Sequence, residues 1–185
     1  MITILSTEEL PQGSEKWLEL RKNFISATSA YDLLHGKTIQ EILTERRKVP
    51  NFVGNYYTER GHTLEPIAKE IYSEIYQPTF DVGFVINDKF PYIACSPDGF
   101  VGEDGMVEVK SFGEKHHLAV MEEVDPPIIA QIQYQLWVTE RKWNDFIAFN
   151  PDIEDLDKTF YVKRFYPDKK MHQQFENIFK KEVYA

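Results

Sequence analysis

Two short stretches of this 185-residue chain carry side chains whose types and spacing could do chemistry: Cys95-Ser96-Pro97-Asp98-Gly99 and Met106-Val107-Glu108-Val109-Lys110. Alternate side chains of a strand share a face, so Glu108 and Lys110 point one way while Val107 and Val109 point into a core. Asp98 falls at the turn ending the preceding strand, and a hairpin between the two strands would bring its carboxylate beside Glu108. Two carboxylates and an ammonium converging at a sheet end are costly unless something holds them there. A hard divalent cation does so, since Mg²⁺ prefers oxygen ligands and keeps several waters. Lys110 could then orient or activate a water, or steady negative charge on phosphorus. The bland reading is a polar hairpin with an accidental Glu-x-Lys pair on its solvent face. Pro-Asp, a nine-residue gap and Glu-Val-Lys in an apolar strand make a more specific pattern than that.

The elements that must position these residues form a mixed α/β domain. Ser14 is placed to cap a short helix carrying Trp17, Leu18 and Leu20, and Ser26 a second one from Ala27 to Leu34 that Gly36 stops. Thr38 and Glu41 form a capping-box pattern for a third helix, ended by Val49-Pro50. Residues 58–76 put Leu64, Ile67, Ala68, Ile71 and Ile75 at helical spacing, with Pro66 in or near a first turn. The period then changes. Phe80 to Ile86 and Tyr92 to Cys95 read as strands around the turn Asn87-Asp88, and Met106 to Ser111 is a further strand. A helix from about Pro127 to Thr139, strands 145–149 and 159–165, and a closing helix 169–183 complete the order. No repeat, low-complexity tract or Gly/Ser linker divides it, so residues 1–185 read as a single domain.

Composition bounds the partners. Aromatics at 14% exclude disorder, and no run of about 18 apolar residues is present to span a membrane. The N-terminus has neither a basic region nor a long apolar stretch, so it does not read as a signal peptide. A single cysteine, Cys95, excludes an internal disulfide framework and a cysteine-based zinc site, and points to a reducing cytoplasm. The net charge of −9 argues against a non-specific basic coat for nucleic acid. It leaves room for a local basic groove, and acidic metal ligands inflate the count.

Pro97-Asp98…Glu108-Val109-Lys110 resembles the signature of the PD-(D/E)XK nuclease superfamily, and the rest of the chain resembles its lambda exonuclease (YqaJ-type viral recombinase) branch. Four blocks carry the resemblance in order: Gln12 to Arg21 followed by Ile25-Ser26-Ala27-Thr28; Gly61 to Pro66; Ala94 to Gly99; and Ala130 to Thr139. It implies a restriction-endonuclease-like core, a central mixed β-sheet flanked by helices, with a helical N-terminal part. It also implies metal binding by Asp98 and Glu108, aided by the Val109 carbonyl and completed by Glu65, with Lys110 as catalytic lysine and Gln131 as the glutamine on the helix after the core strands. Gln135 shares a helix face with Gln131. A buried glutamine satisfying local backbone is the preferred reading for it. Arg21, Thr28 and Ser96 match positions that hold the 5′-terminal phosphate of DNA, where an arginine fork and hydroxyls suit an anion.

By the same resemblance the expected activity is a Mg²⁺-dependent deoxyribonuclease, with two ions about 4 Å apart and Mn²⁺ as a substitute. It would digest linear double-stranded DNA from the 5′ end, releasing mononucleotides and leaving 3′ single-stranded tails for phage-type recombination. Expected partners are duplex DNA ends, a single-strand annealing protein and further copies in a ring trimer, with no membrane, in the bacterial cytoplasm. Two alternatives stay open: an endonuclease of the same fold, and an inactive module that binds DNA ends.

Overall fold

A computed structural model describes residues 1–48 and 56–183. In chain order the elements are β1 (Ile2–Leu5), α1 (Glu15–Arg21), α2 (Ala30–Leu34), α3 (Ile39–Lys48), α4 (Tyr56–Ile75), β2 (Thr79–Phe80), β3 (Phe84–Asn87), β4 (Ala94–Cys95), β5 (Gly99–Val101), β6 (Gly105–Lys110), α5 (Glu114–Glu122), α6 (Pro126–Thr139), β7 (Trp143–Phe149), β8 (Phe160–Phe165) and α7 (Lys169–Val183). The strands form a five-stranded mixed sheet, β2-β5-β6-β7-β8, and a three-stranded sheet, β1-β3-β4. Only β6 and β7 run parallel in the larger sheet, and α5 and α6 supply the crossover between them.

Period-two alternation divides the larger sheet into two packed faces. Val107 and Val109 of β6, with Ile147 and Phe149 of β7, pack on Leu64, Ala68 and Tyr72 of α4. Met106, Phe146 and Ala148 face the opposite way, toward Ile132, Leu136, Phe175 and Phe179 of α6 and α7. Glu108 shares the Met106 face of β6, so its carboxylate is aimed at α6.

The chain departs from the sequence expectations at definite places. The stretch 80–86 is not one strand: β2 and β3 belong to different sheets. At Gly83, which lies between them, a Cβ would meet the carbonyl oxygens of Leu10 and Ser6 at 2.6 Å and of Leu5 at 2.8 Å, so close backbone approach reserves the position for glycine. Asp98 does not end the strand before the hairpin. It immediately precedes β5, whose register with β6 sets Gly99 against Val107, and the hairpin is β5–β6. Pro66 lies inside α4, well past its first turn. Pro66 and His62 are both exposed, so water can take the His62 carbonyl that proline leaves without a donor. Helix α5 and strand β1 were not anticipated.

Ser14 caps α1 by accepting from the Trp17 N–H at 3.2 Å, and Thr38 and Glu41 exchange capping-box bonds at the start of α3. Ser26 makes no capping bond: residues 27–29 form a 3₁₀ turn before a short α2, and its hydroxyl is used elsewhere. The expected stop at Val49-Pro50 lies outside the described residues.

Candidate active site

All nine residues singled out from the sequence line one cleft of about 940 Å³: Arg21, Thr28, Glu65, Ser96, Asp98, Glu108, Val109, Lys110 and Gln131.

One wall is the β5–β6 hairpin. Asp98 Oδ2 accepts the Val109 N–H at 2.7 Å, which locks the carboxylate next to the strand that carries Glu108. Glu108 is 1% exposed, and its Oε1 pairs with Lys110 Nζ at 2.5 Å and accepts from Gln131 Nε2. Its Oε2 accepts from Gln135 Nε2 at 2.6 Å, and Gln135 Oε1 in turn accepts from Asn144 Nδ2 at 2.9 Å. Gln135 is therefore part of the carboxylate's surroundings and not a glutamine occupied with local backbone.

Electrostatics mark this wall as a place that wants positive charge. Burial, followed by the charges of Glu108 and Glu65, pushes the Asp98 carboxyl well above the ordinary aspartate range. Burial works against the Lys110 ammonium, but Glu108 and Asp98 outweigh it and raise its pKa. Glu65 reaches the cleft from α4, with its carboxylate held by Lys69 Nζ at 3.0 Å; Lys69 also bonds Asp81 at 2.7 Å and the Asp98 carbonyl at 2.9 Å. Among the described residues no three His, Cys, Asp or Glu side chains gather closely enough to hold an ion between them. The donor set is nevertheless of the hard oxygen type that a divalent cation takes through one or two carboxylates: Asp98 and Glu108, with the carbonyl of Val109, the residue after Glu108.

The other wall is built from the N-terminal segment and the smaller sheet. Ile25 bridges Ile93 beside β4, with Ile25 N–H on the Tyr92 carbonyl at 2.7 Å, which brings residues 26–28 alongside Ser96. Arg21 lies over the Trp17 ring, 4.6 Å from its centroid, and donates to Ser26 Oγ at 3.4 Å and Thr28 Oγ1 at 3.3 Å. Trp17 Nε1 donates to Ser96 Oγ at 3.1 Å. Gln12 donates to the carbonyls of Val82 at 2.6 Å and Pro97 at 3.1 Å, and so holds the backbone just before Asp98.

With this geometry in view, comparison with known families is decisive. The model of the YqaJ-like viral recombinase domain matches residues 16–142, more than half of the chain. The chain belongs to this family. Comparison with curated proteins finds no significant match. Among solved structures, an alkaline exonuclease (LHK-Exo) from Laribacter hongkongensis is similar at 24% identity and a TM-score of 0.79, covering 92% of this chain and 91% of that one. LHK-Exo in complex with dAMP gives 23% identity with the same TM-score and coverage. A phage-related exonuclease from Haemophilus somnus 129PT is similar at 14% identity and a TM-score of 0.58, over 88% of this chain and 93% of that one. At these identities the structures establish the shared fold, a mixed sheet flanked by helices.

Further residues stand at or behind the cleft. Arg46 of α3 bonds Ser26, Thr28 and Ser29 behind the Arg21 wall. Lys69 stands one helical turn after Glu65, a spacing that could have flagged it. Cys95 is buried and its thiol is pushed up by that burial, as suits a packing residue. His117 is fully buried against the Lys158 carbonyl. No described helix is long and apolar enough to cross a membrane.

Proposed function

We propose that this protein is a metal-dependent exonuclease that digests linear double-stranded DNA from the 5′ end and releases mononucleotides. The observation that carries the reading is that one cleft holds both a carboxylate–lysine cluster suited to phosphodiester hydrolysis and an arginine–hydroxyl cluster suited to a terminal phosphate. Membership of the recombinase family supports DNA as substrate, and relatives of the same fold that are named exonucleases, one crystallised with dAMP, support nucleotide removal.

A Mg²⁺ or Mn²⁺ ion held by Asp98, Glu108 and the Val109 carbonyl, or a pair of ions that also engages Glu65 from α4, would supply Lewis acidity to the scissile phosphate and acidify the attacking water. The chain's own groups do the rest. Lys110 donates from a charged ammonium to orient that water and to stabilise negative charge growing on phosphorus. Gln131 and Gln135 fix the Glu108 carboxylate so that ligand geometry is prepared in advance. Arg21, Thr28 and Ser96 anchor the 5′ phosphate and set the polarity of digestion. The 3′ strand left behind would pass to a single-strand annealing protein, and a ring of three copies would keep the enzyme on its track.

The test is a linear duplex labelled and 5′-phosphorylated at one end, with closed circular DNA beside it, incubated with Mg²⁺ or EDTA. Mononucleotides released from the phosphorylated end in Mg²⁺ alone, with the circle untouched and Asp98→Ala inactive, is the expected result. Cutting of the circle would replace the exonuclease with an endonuclease. No change in either DNA with any divalent cation would leave a DNA-end-binding module.

A further inference from the structure

The wall opposite the carboxylates contains more positive charge than a single arginine. Arg46, from α3, donates to the same two hydroxyls as Arg21: to Ser26 Oγ, and to Thr28 Oγ1 at 3.3 Å. It also reaches Ser29 Oγ at 3.0 Å. Ser26 and Thr28 are themselves in contact, Oγ to Oγ1, at 2.9 Å. Two guanidinium groups and three hydroxyls thus gather at one spot, and Arg21, Ser26 and Thr28 face the cleft.

The anion that should accompany such a cluster does not come from this chain. Among the described residues neither guanidinium forms an ion pair. The carboxylate whose charge reaches Arg21 is Glu108, on the other wall, and the charged group acting on Arg46 is Arg21 itself. Burial and that repulsion bring Arg46 down to about 10, still charged at neutral pH. Like charges held together out of water cost stability unless a ligand offsets them. Arg21 meets its hydroxyls at 3.3–3.4 Å, long for a charge-assisted bond, so the guanidinium, placed over the Trp17 ring, can exchange them for an incoming oxyanion.

We infer that Arg46 is the second cation of the phosphate pocket, and that its charge sets how far the pocket favours a doubly charged terminal phosphate over a singly charged phosphodiester. This rests on the reading of the cleft as a nuclease site. Arg46 acts from behind. One of its nitrogens is spent on the carbonyls of Phe24 at 3.2 Å and Arg21 at 3.4 Å, which fixes its position. Its other nitrogen donates to the lone pairs of the Ser26 and Thr28 hydroxyls; one of the two O–H protons is spent on the bond between them, which leaves the other to turn toward an oxyanion in the cleft. Arg21 supplies the front fork, and Arg46 the second charge together with the orientation of the hydroxyls.

The experiment measures binding in EDTA, which separates it from cleavage. Short duplexes differ only at one 5′ end: phosphate, methyl phosphate diester, or hydroxyl. Wild type should bind phosphate over methyl phosphate by roughly 10-fold or more, the scale of one charged hydrogen bond. Arg46→Gln should shrink that ratio several-fold while leaving the hydroxyl end bound as before and the melting temperature close to wild type. Arg46→Lys, which keeps a charge but not the fork, should fall between, and carries the test if the glutamine variant does not fold. An unchanged ratio in a folded Arg46 variant would make Arg46 a strut and overturn the inference. Equal binding of all three ends by wild type would overturn it together with the phosphate pocket of Arg21, Thr28 and Ser96, whereas loss of nuclease activity with the end preference intact would count against the proposed function alone.

Discussion

Gln135 donates to Glu108 Oε2 at 2.6 Å from a fully buried position on α6, and Asn144 fixes the direction of that amide by donating to Gln135 Oε1. Thus both oxygens of Glu108 are held, one by Lys110 and Gln131 at the cleft and one by Gln135 beneath it. Groups that orient a metal-binding carboxylate are typically worth about 10–100-fold in metal affinity or activity. Gln135→Leu should lower turnover on that scale without changing the KM for DNA ends. It also strands a buried carboxylate oxygen and a buried amide, costing roughly 1–3 kcal/mol of stability. Turnover at the wild-type level in a folded Gln135→Leu protein would reduce the residue to packing.

Lys69 competes for Glu65. Its ammonium is held by the Asp81 and Glu65 carboxylates, which together outweigh its burial and raise its pKa. Lys69→Met would leave Glu65 without this partner, near Asp98, whose carboxyl already feels the Glu65 charge. The variant should melt lower than wild type in EDTA and gain more from added Mg²⁺, because the cation then takes over the task of the lost ammonium. Equal Mg²⁺-induced shifts in the two proteins would show that Glu65 does not respond to the ion.

Much of the cleft could be read from the chain because its geometry follows short periods. Strand alternation puts Glu108 and Lys110 on one face, and the i,i+4 spacing of Trp17 and Arg21 on α1 lets the guanidinium lie over the indole. What depends on tertiary layering was not readable. Helical spacing pairs Gln131 with Gln135, but only the packing of α6 on the Glu108 face of β6 tells what they touch. Strand β5 has three residues, too few for a pattern, so the Asp98-Gly99 signal looked like a turn and the hairpin was attached to β4. Helix α5 hides its inward face because a histidine, His117, sits there with Val120. Ser26 looks like a cap by type, and only the arrival of Arg46 from α3 claims its hydroxyl.

His117 makes the fold sensitive to acid. Its Nε2 lies 2.7 Å from the Lys158 carbonyl and so carries the proton, while the buried Nδ1 has no partner among the described residues. Burial, with the charge of Arg60, lowers its pKa below the ordinary histidine value, so the folded state binds a proton later than the unfolded chain on acidification. Stability contributed by the neutral ring is complete above the unfolded pKa of about 6.5 and is lost as pH falls below it, by at most about 1.4 kcal/mol per pH unit for one proton. His172, also lowered by burial, adds in the same direction. The melting temperature should therefore drop more between pH 7.5 and 5.5 in wild type than in His117→Gln. Parallel curves for the two proteins would remove His117 from the account.

The far face of the larger sheet is held by a charge cluster that has no part in the cleft. Asp145 of β7 is 2% exposed and accepts from Arg164 Nε at 2.7 Å, Arg164 Nη2 at 2.8 Å and the Tyr72 hydroxyl at 2.5 Å. Arg164 also lies over the Trp143 ring, 3.7 Å from its centroid, so one guanidinium ties β8 to β7 through both charge and a flat contact. Removing it leaves a buried carboxylate with a single phenol. A fully buried pair broken in this way costs about 3–5 kcal/mol, and the partial exposure of Arg164 reduces the expectation to roughly 2–3 kcal/mol for Arg164→Met. Tyr72→Phe removes one donor and should cost about 1 kcal/mol. Because both donors serve one carboxylate, the double variant should deviate from the sum of the singles, which a denaturant-unfolding cycle measures. Nuclease turnover assayed well below the melting temperature should stay at the wild-type level in all three. A loss of turnover in folded Arg164→Met would mean that the two faces of the sheet are coupled.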